Sequence, residues 1–304
     1  MKLKTKDLLT LAELTPREFV GLIDDSINLK KEFKQGGNKP VLKNKTLAMI
    51  FQKPSTRTRV SFEVGMYHLG GHAVTLSSND MQLSRGESVE DTAKTLSRYS
   101  DCIMARVYDH KLLETLAEHA SIPVINGLSD SFHPCQILAD FMTIKEKKKK
   151  LKGMKIAWIG DGNNVCNSMI YGAALSGANM SIATPKGFEP NKDVVKESQK
   201  STNIELTTDP FTASENADVV AADTFSSIHN LDKKRLQKFM PKYQINDKLM
   251  KSAKKDAIFL HCLPAKRGQE VTSSVIDGPQ SVVWDEAENR LHTQKALLAA
   301  LIRA

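Results

Sequence analysis

The chain has little cysteine for its length: four among 304 residues, at Cys102, Cys135, Cys166 and Cys262, with no CxxC pair. That spacing argues against a disulfide framework or a zinc site and predicts free thiols in a reducing compartment. Aromatic residues make up only 6%, and none interleaves with lysine runs such as residues 147–150. The net charge of +8 therefore does not read as a stacking surface for nucleic acid, and a small anionic substrate accounts for it as well. No run approaches the ~18 apolar residues of a membrane span. The basic stretch 1–14 holds a short apolar piece broken by Glu13, so no signal peptide is expected and a cytoplasmic location is. No G-x-x-x-x-G-K-[ST] phosphate loop occurs.

With 40% apolar and 26% charged residues the chain reads as globular, long enough for two domains. Its most informative stretch is 46–62, TLAMIFQKPSTRTRVSF. A strand-like run from Leu47 to Phe51 feeds a short loop, and Pro54 and Ser55 are residues that start helices. A first helical turn has unpaired N–H groups and the positive end of the dipole, so it binds anions. Ser55, Thr56 and Thr58 add hydroxyls, and Arg57 and Arg59 add guanidiniums whose fork matches phosphate. Taken alone, the string also fits a solvated basic helix start.

Strand and helix patterns alternate along the chain. A helix over 15–35 stops at Gly36-Gly37. HAVTLS, CIMARV and PVING follow as strands, Ser88 opens one helix, and HPCQILADFMTI starts another with Pro134 near its first position. KEKKKKLKG marks a break, after which MKIAWIG, MSIAT, IELTT, DVVAADT, AIFLHCL and SVVWD read as strands. The last segment reads as a C-terminal helix over about 286–304 that packs back on the first domain. The predicted fold is α/β, with two doubly wound parallel-sheet domains at 1–145 and 151–285 and the active site in the cleft between them. Polar residues recur at the carboxyl ends of the predicted strands, where such sheets bind ligands. They are STRTR, Arg106, HPCQ, GDGNN, DTFSS and HCLP. GDGNNV follows a strand and opens a helix, yet Val165 replaces the third glycine of a dinucleotide fingerprint and no acidic residue marks a ribose.

STRTR, Arg106, HPCQ and HCLP together, in this order and across nearly the whole chain, resemble the aspartate/ornithine carbamoyltransferase family, on its ornithine branch. The chemistry agrees. Carbamoyl phosphate needs cationic donors for its dianion, a donor for its carbonyl oxygen and acceptors for its NH2, and His133 with Gln136 offers both kinds of group. The resemblance implies that carbamoyl phosphate is bound by Ser55, Thr56, Arg57, Thr58 and Arg106. His133, Pro134, Cys135 and Gln136 complete that set with Arg290 and with Gln82, whose loop in the family reaches a neighbouring subunit. For L-ornithine it implies Asn167, Asp223, Ser227 and Ile228 at the amino-acid end and Cys262 and Leu263 near the side-chain amine. Arg57, Arg106, His133, Gln136 and Cys262 form the implied catalytic set. Cys262 is not a nucleophile, since no acyl-enzyme is required. His133 and Asp223 taken singly also fit helix caps or turns, and Cys262 also fits inert packing.

The implied reaction transfers the carbamoyl group to ornithine, giving L-citrulline and phosphate in arginine biosynthesis or its reverse, without metal or organic cofactor. The family forms homotrimers with shared sites, and neither nucleic acid nor membrane is an expected partner. The ornithine loop departs from the family pattern: Phe225 stands for Trp, Ile228 for Met and His229 for Gly, and the loop is about two residues shorter. That departure leaves aspartate or putrescine open as acceptors, and a non-catalytic binder of phosphate metabolites is the alternative from another class.

Overall fold

A computed structural model describes residues 2–77, 80–225 and 233–302. The chain divides into two compact units, residues 1–142 with 288–304 and residues 143–287. The first contains α1 (Pro16–Lys34), β1 (Thr46–Phe51), α2 (Thr56–His68), β2 (His72–Ser77), α3 (Val89–Tyr99), β3 (Cys102–Arg106), α4 (His110–His119) and β4 (Val124–Leu128). Helix α5 (Pro134–Lys148) carries the chain over the boundary. The second unit continues with β5 (Lys155–Ile159), α6 (Asn164–Ser176), β6 (Asn179–Ala183), α7 (Lys192–Ser198), β7 (Ile204–Thr207), α8 (Pro210–Ser214) and β8 (Val219–Ala222). It ends with α9 (Lys233–Phe239), α10 (Asp247–Met250), β9 (Ile258–His261) and α11 (Ser273–Ile276), and α12 (Val283–Leu301) returns to the first unit.

Local sequence explains the elements. Thr15 and Glu18 form a reciprocal capping box before Pro16, which starts α1. Ser88 caps α3 through the Asp91 amide. Strands β1, β3, β5, β8 and β9 are buried along almost all their length. That is the run-like, non-alternating pattern of parallel strands covered on both faces. SVVWD is corrected: it is no strand. Ser281 makes one isolated bridge to Phe259, and Val283 already begins α12. A short apolar run does not distinguish a strand from a buried helix start.

All strand pairs are parallel. The first sheet runs β2-β1-β3-β4 and the second β7-β6-β5-β8-β9. In each, successive connections leave in opposite directions from the central pair. The switch points lie between β1 and β3 and between β5 and β8, the places beyond whose carboxyl ends open α/β sheets bind ligands. Each unit keeps its own core: Ile50, Ile103, Ala105 and Leu116 belong to one cluster, Ile159, Val220, Phe225 and Phe259 to another.

Candidate active site

In the first unit the switch point is tied together by backbone. The Gln52 amide, just past β1, donates to the Arg106 carbonyl at 2.9 Å. The Gln52 side chain in turn accepts from the Tyr108 amide at 2.9 Å. Between Ala105 and Arg106 the pairing with β4 slips by one residue. Such a bulge re-aims the side chain that follows it. Ser55 caps α2, its hydroxyl accepting from the Thr58 amide at 3.2 Å. The first turn of α2 holds no acidic residue, so the positive end of the helix is not neutralised there.

Arg290, on α12 and 2% exposed, braces two neighbouring helices. It donates to Gln136 Oε1 at 2.7 Å and to Thr58 Oγ1 at 3.2 Å. Gln136 Nε2 donates onward to Asp140 at 2.8 Å, which fixes which end of the amide is oxygen. His133 is buried beside Arg290, Arg106 and Arg57. Burial first, and then those three guanidiniums, hold its pKa well below the usual histidine value. It is a neutral imidazole at neutral pH, able to donate one hydrogen bond without bringing charge. Pro134 opens α5. The buried Cys135 thiol, pushed up to about 12 by burial, donates to the Asn126 carbonyl at 3.4 Å. Gln82 begins a one-turn 3-10 helix, Gln82–Arg85, and is exposed. Its side chain makes no hydrogen bond among the described residues.

In the second unit Asp223 follows β8 and both its oxygens are engaged. Oδ2 accepts from Asn163 Nδ2 at 2.8 Å, and Oδ1 accepts from the Thr224 amide at 2.7 Å and from Cys262 Sγ at 3.1 Å. The structure thus brings Asp223 and Cys262 together. Asn167, on α6, accepts from the Asn191 amide at 2.9 Å. Leu263 adopts the left-handed region, φ 54°, and its amide donates to His261 Nδ1 at 2.9 Å. Ser227 and Ile228, and His229 with them, lie outside the described residues. The glycines of GDGNN serve the chain's own packing. A side chain at Gly160 (φ +131°) would come within 2.9 Å of the Phe225 ring, and one at Gly162 would overlap the backbone of Glu189 and Pro190.

Two family models match the chain. The carbamoyl-P binding domain of aspartate/ornithine carbamoyltransferase covers residues 6–146, and the Asp/Orn binding domain of the same family covers 152–301. The chain belongs to the aspartate/ornithine carbamoyltransferase family. It is 61% identical to the ornithine carbamoyltransferase of Cenarchaeum symbiosum, over 99% of each chain. It is 51% identical to the anabolic ornithine carbamoyltransferase of Pyrococcus furiosus, over 99% of this chain and 98% of that one. The solved structure of ornithine carbamoyltransferase from Pyrococcus furiosus superposes with a TM-score of 0.96, covering 99% and 98% of the two chains.

The structure adds residues to this carbamoyltransferase that motif reading passed over. His261 accepts the Leu263 amide on Nδ1, so its proton sits on Nε2, which faces Glu270 Oε1 at 3.4 Å. Glu286 takes the His261 amide at 2.9 Å and Glu270 the Lys266 amide at 2.5 Å. These buried groups hold the backbone around Cys262 and Leu263. His261 was in view within HCLP, but Glu270 and Glu286 had no sequence signal. Asn163 and Asp140 likewise became visible only as partners of Asp223 and Gln136. Lys53 lies over the Tyr108 ring at 4.1 Å. Burial, and after it the charge of Arg106, lower its pKa. Among the described residues no group of three or more His, Cys, Asp and Glu side chains is arranged to hold a metal, and no helix is long and apolar enough to cross a membrane.

Proposed function

We propose that this carbamoyltransferase moves the carbamoyl group of carbamoyl phosphate to the side-chain amine of L-ornithine, giving L-citrulline and phosphate. The observation that carries the reading is the neutral His133, between β4 and α5, set among Arg57 after β1, Arg106 ending β3 and Arg290 on α12. One uncharged donor amid three guanidiniums suits a carbonyl oxygen joined to a dianionic phosphate. Arg57 and Arg106, with the Ser55, Thr56 and Thr58 donors, hold the phosphate, and Gln136, positioned by Arg290 and Asp140, meets the carbamoyl NH2. Pro134 and Cys135 set the start of α5. Gln82 extends the set from a second copy of the chain.

Asp223, Asn167, Ser227 and Ile228 bind the α-amino and carboxylate groups of ornithine, and Cys262 and Leu263 flank its side-chain nitrogen. That nitrogen, as the free amine, attacks the carbamoyl carbon. His133 stabilises the charge that builds on the oxygen, a role whose removal typically costs ~2.7–4 kcal/mol of barrier. The C–O bond to phosphate then breaks, and the departing phosphate takes the amine proton, so no protein base is needed. The anabolic name of the Pyrococcus furiosus relative supports the biosynthetic direction. A cytoplasmic enzyme that assembles as a homotrimer completes the proposal.

The test is citrulline formation from carbamoyl phosphate and ornithine, run beside aspartate, putrescine and lysine. Ornithine is expected to be preferred, and preference for another acceptor overturns the branch. Arg57→Gly is expected to abolish carbamoyl phosphate binding with an unchanged circular dichroism spectrum. Retained binding in that variant removes STRTR from the site.

A further inference from the structure

Two carboxylates stand at the switch point of the second sheet, Asp161 just past β5 and Asp223 just past β8. Asn163, two residues after Asp161, donates to Asp223 at 2.8 Å, which ties the two turns together. The carboxylates are close enough to repel. The Asp161 carboxyl is pushed up to about 6, by burial first and by the charge of Asp223 as well, against the pull of Arg235. Arg235, on α9, binds Asp161 Oδ2 through Nη2. Its Nε donates to the Phe225 carbonyl at 2.8 Å, and its guanidinium lies over the Phe188 ring at 4.7 Å and the Phe239 ring at 5.7 Å. A guanidinium held by a carboxylate, a carbonyl and two rings is a fixed counter-charge, not a mobile surface group.

With Arg235 present, two carboxylates and one guanidinium leave a single negative charge, placed to meet one ammonium. An amino acid bound by its α-ammonium at Asp223 brings its α-carboxylate alongside, two bonds from that nitrogen. A second uncompensated carboxylate at Asp161 would repel it. A diamine has no carboxylate, and the extra negative charge would attract it. We infer that Arg235 is a specificity-determining residue: by neutralising Asp161 beside Asp223 it lets the site take an amino-acid acceptor and disfavours carboxylate-free diamines. This rests on the proposed transfer to ornithine and deepens it.

The experiment compares kcat/KM for ornithine and for putrescine, at saturating carbamoyl phosphate, in the full-length protein and in Arg235→Gln, Arg235→Lys and the double variant Asp161→Asn/Arg235→Gln. At pH 8 and above, where Asp161 remains ionised without its guanidinium partner, Arg235→Gln is expected to lower the ornithine-to-putrescine ratio roughly tenfold or more, the scale of one uncompensated charge at close range. Arg235→Lys keeps most of the ratio. The double variant recovers it, because the second carboxylate is gone, whereas a purely structural role would leave the double variant no better than the single one. In Arg235→Gln the ratio should also rise as pH falls from 8 to 6 and Asp161 takes a proton, while the double variant stays flat. Among the described residues the charged groups facing Asp161 are Arg235 from α9 and Asp223 after β8. Cys166, on α6, is a thiol that burial keeps neutral.

An unchanged ratio in a folded Arg235→Gln, or a double variant that does not recover, overturns the inference. If Arg235→Gln does not fold, Asp161→Asn alone tests the same balance. Ornithine should gain on putrescine in it, and no gain overturns the inference. Should the wild-type protein carbamoylate neither acceptor, the proposed function itself fails. A wild type that prefers ornithine beside an unaltered Arg235→Gln ratio fails this inference alone.

Discussion

Both oxygens of the Asp223 carboxylate are held within their own unit by Asn163, the Thr224 amide and the Cys262 thiol, so the carboxylate is already oriented for the ornithine contact proposed for it. Asp223→Asn is expected to raise the ornithine KM by about ten- to a hundredfold, the loss of a hydrogen bond to a charged group. Carbamoyl phosphate binding, measured by calorimetry, should be unchanged. An unaltered ornithine KM would take Asp223 out of the site. A second residue contributes to the loss of stability in acid. His292 is 1% exposed, and its pKa is lowered to about 3 by burial and by Lys295 and Lys30, with Glu288 acting the other way. Because its folded pKa lies below the unfolded value of ~6.5, the stability linked to its neutral form is fully present above pH ~6.5 and is lost as pH falls towards 3. His292→Gln should therefore flatten the fall in melting temperature between pH 7 and pH 5, and an identical slope in the variant would refute the assignment. Asp223 was legible as a candidate because a carboxylate ending an apolar strand is conspicuous. His292 carried no such mark, since its shift comes first from burial and then from charges on its own helix and on α1.

Among the elements, the turn between β5 and α6 shows how a glycine can be misread. GDG resembles a dinucleotide loop, yet Gly162 is there because the chain at Glu189–Pro190 passes against it, with the Gly162 amide donating to the Phe188 carbonyl at 2.8 Å. Gly162→Ala should cost ~1–3 kcal/mol as overpacking against backbone that cannot give way, read as a lower midpoint in denaturant. No change would mean that the loop at Glu189 moves aside freely. The strand and helix pattern was otherwise legible, because caps such as Thr15 and Ser88 and apolar runs such as Leu47–Phe51 act locally. SVVWD was not. Val282 and Val283 are buried, and burial favours apolar residues equally in a strand and at the start of a helix.

For the molecule as a whole, Gln82 presents an exposed side chain with no hydrogen bond among the described residues, on the turn proposed above to reach a second copy of the chain. Sedimentation equilibrium is expected to give three times the 33.7 kDa chain mass, and Gln82→Ala to lower carbamoyl phosphate affinity without changing that mass. A monomeric and fully active enzyme would refute the shared-site proposal. The order of residues was enough to determine the alternation that makes two parallel sheets, the helix start at STRTR, and the placement of polar groups after apolar strands, since hydrophobic period and capping are properties of neighbours in the chain. It was also enough to point to Arg57, Arg106, His133, Gln136 and Asp223 as candidates. Only the tertiary structure decided which distant groups hold the side chains of the site: Arg290 on Gln136, Asn163 on Asp223, Glu270 facing His261, and Arg235 on Asp161. Each of those contacts joins residues from different elements, and the charge and orientation of a side chain depend on what folding brings beside it.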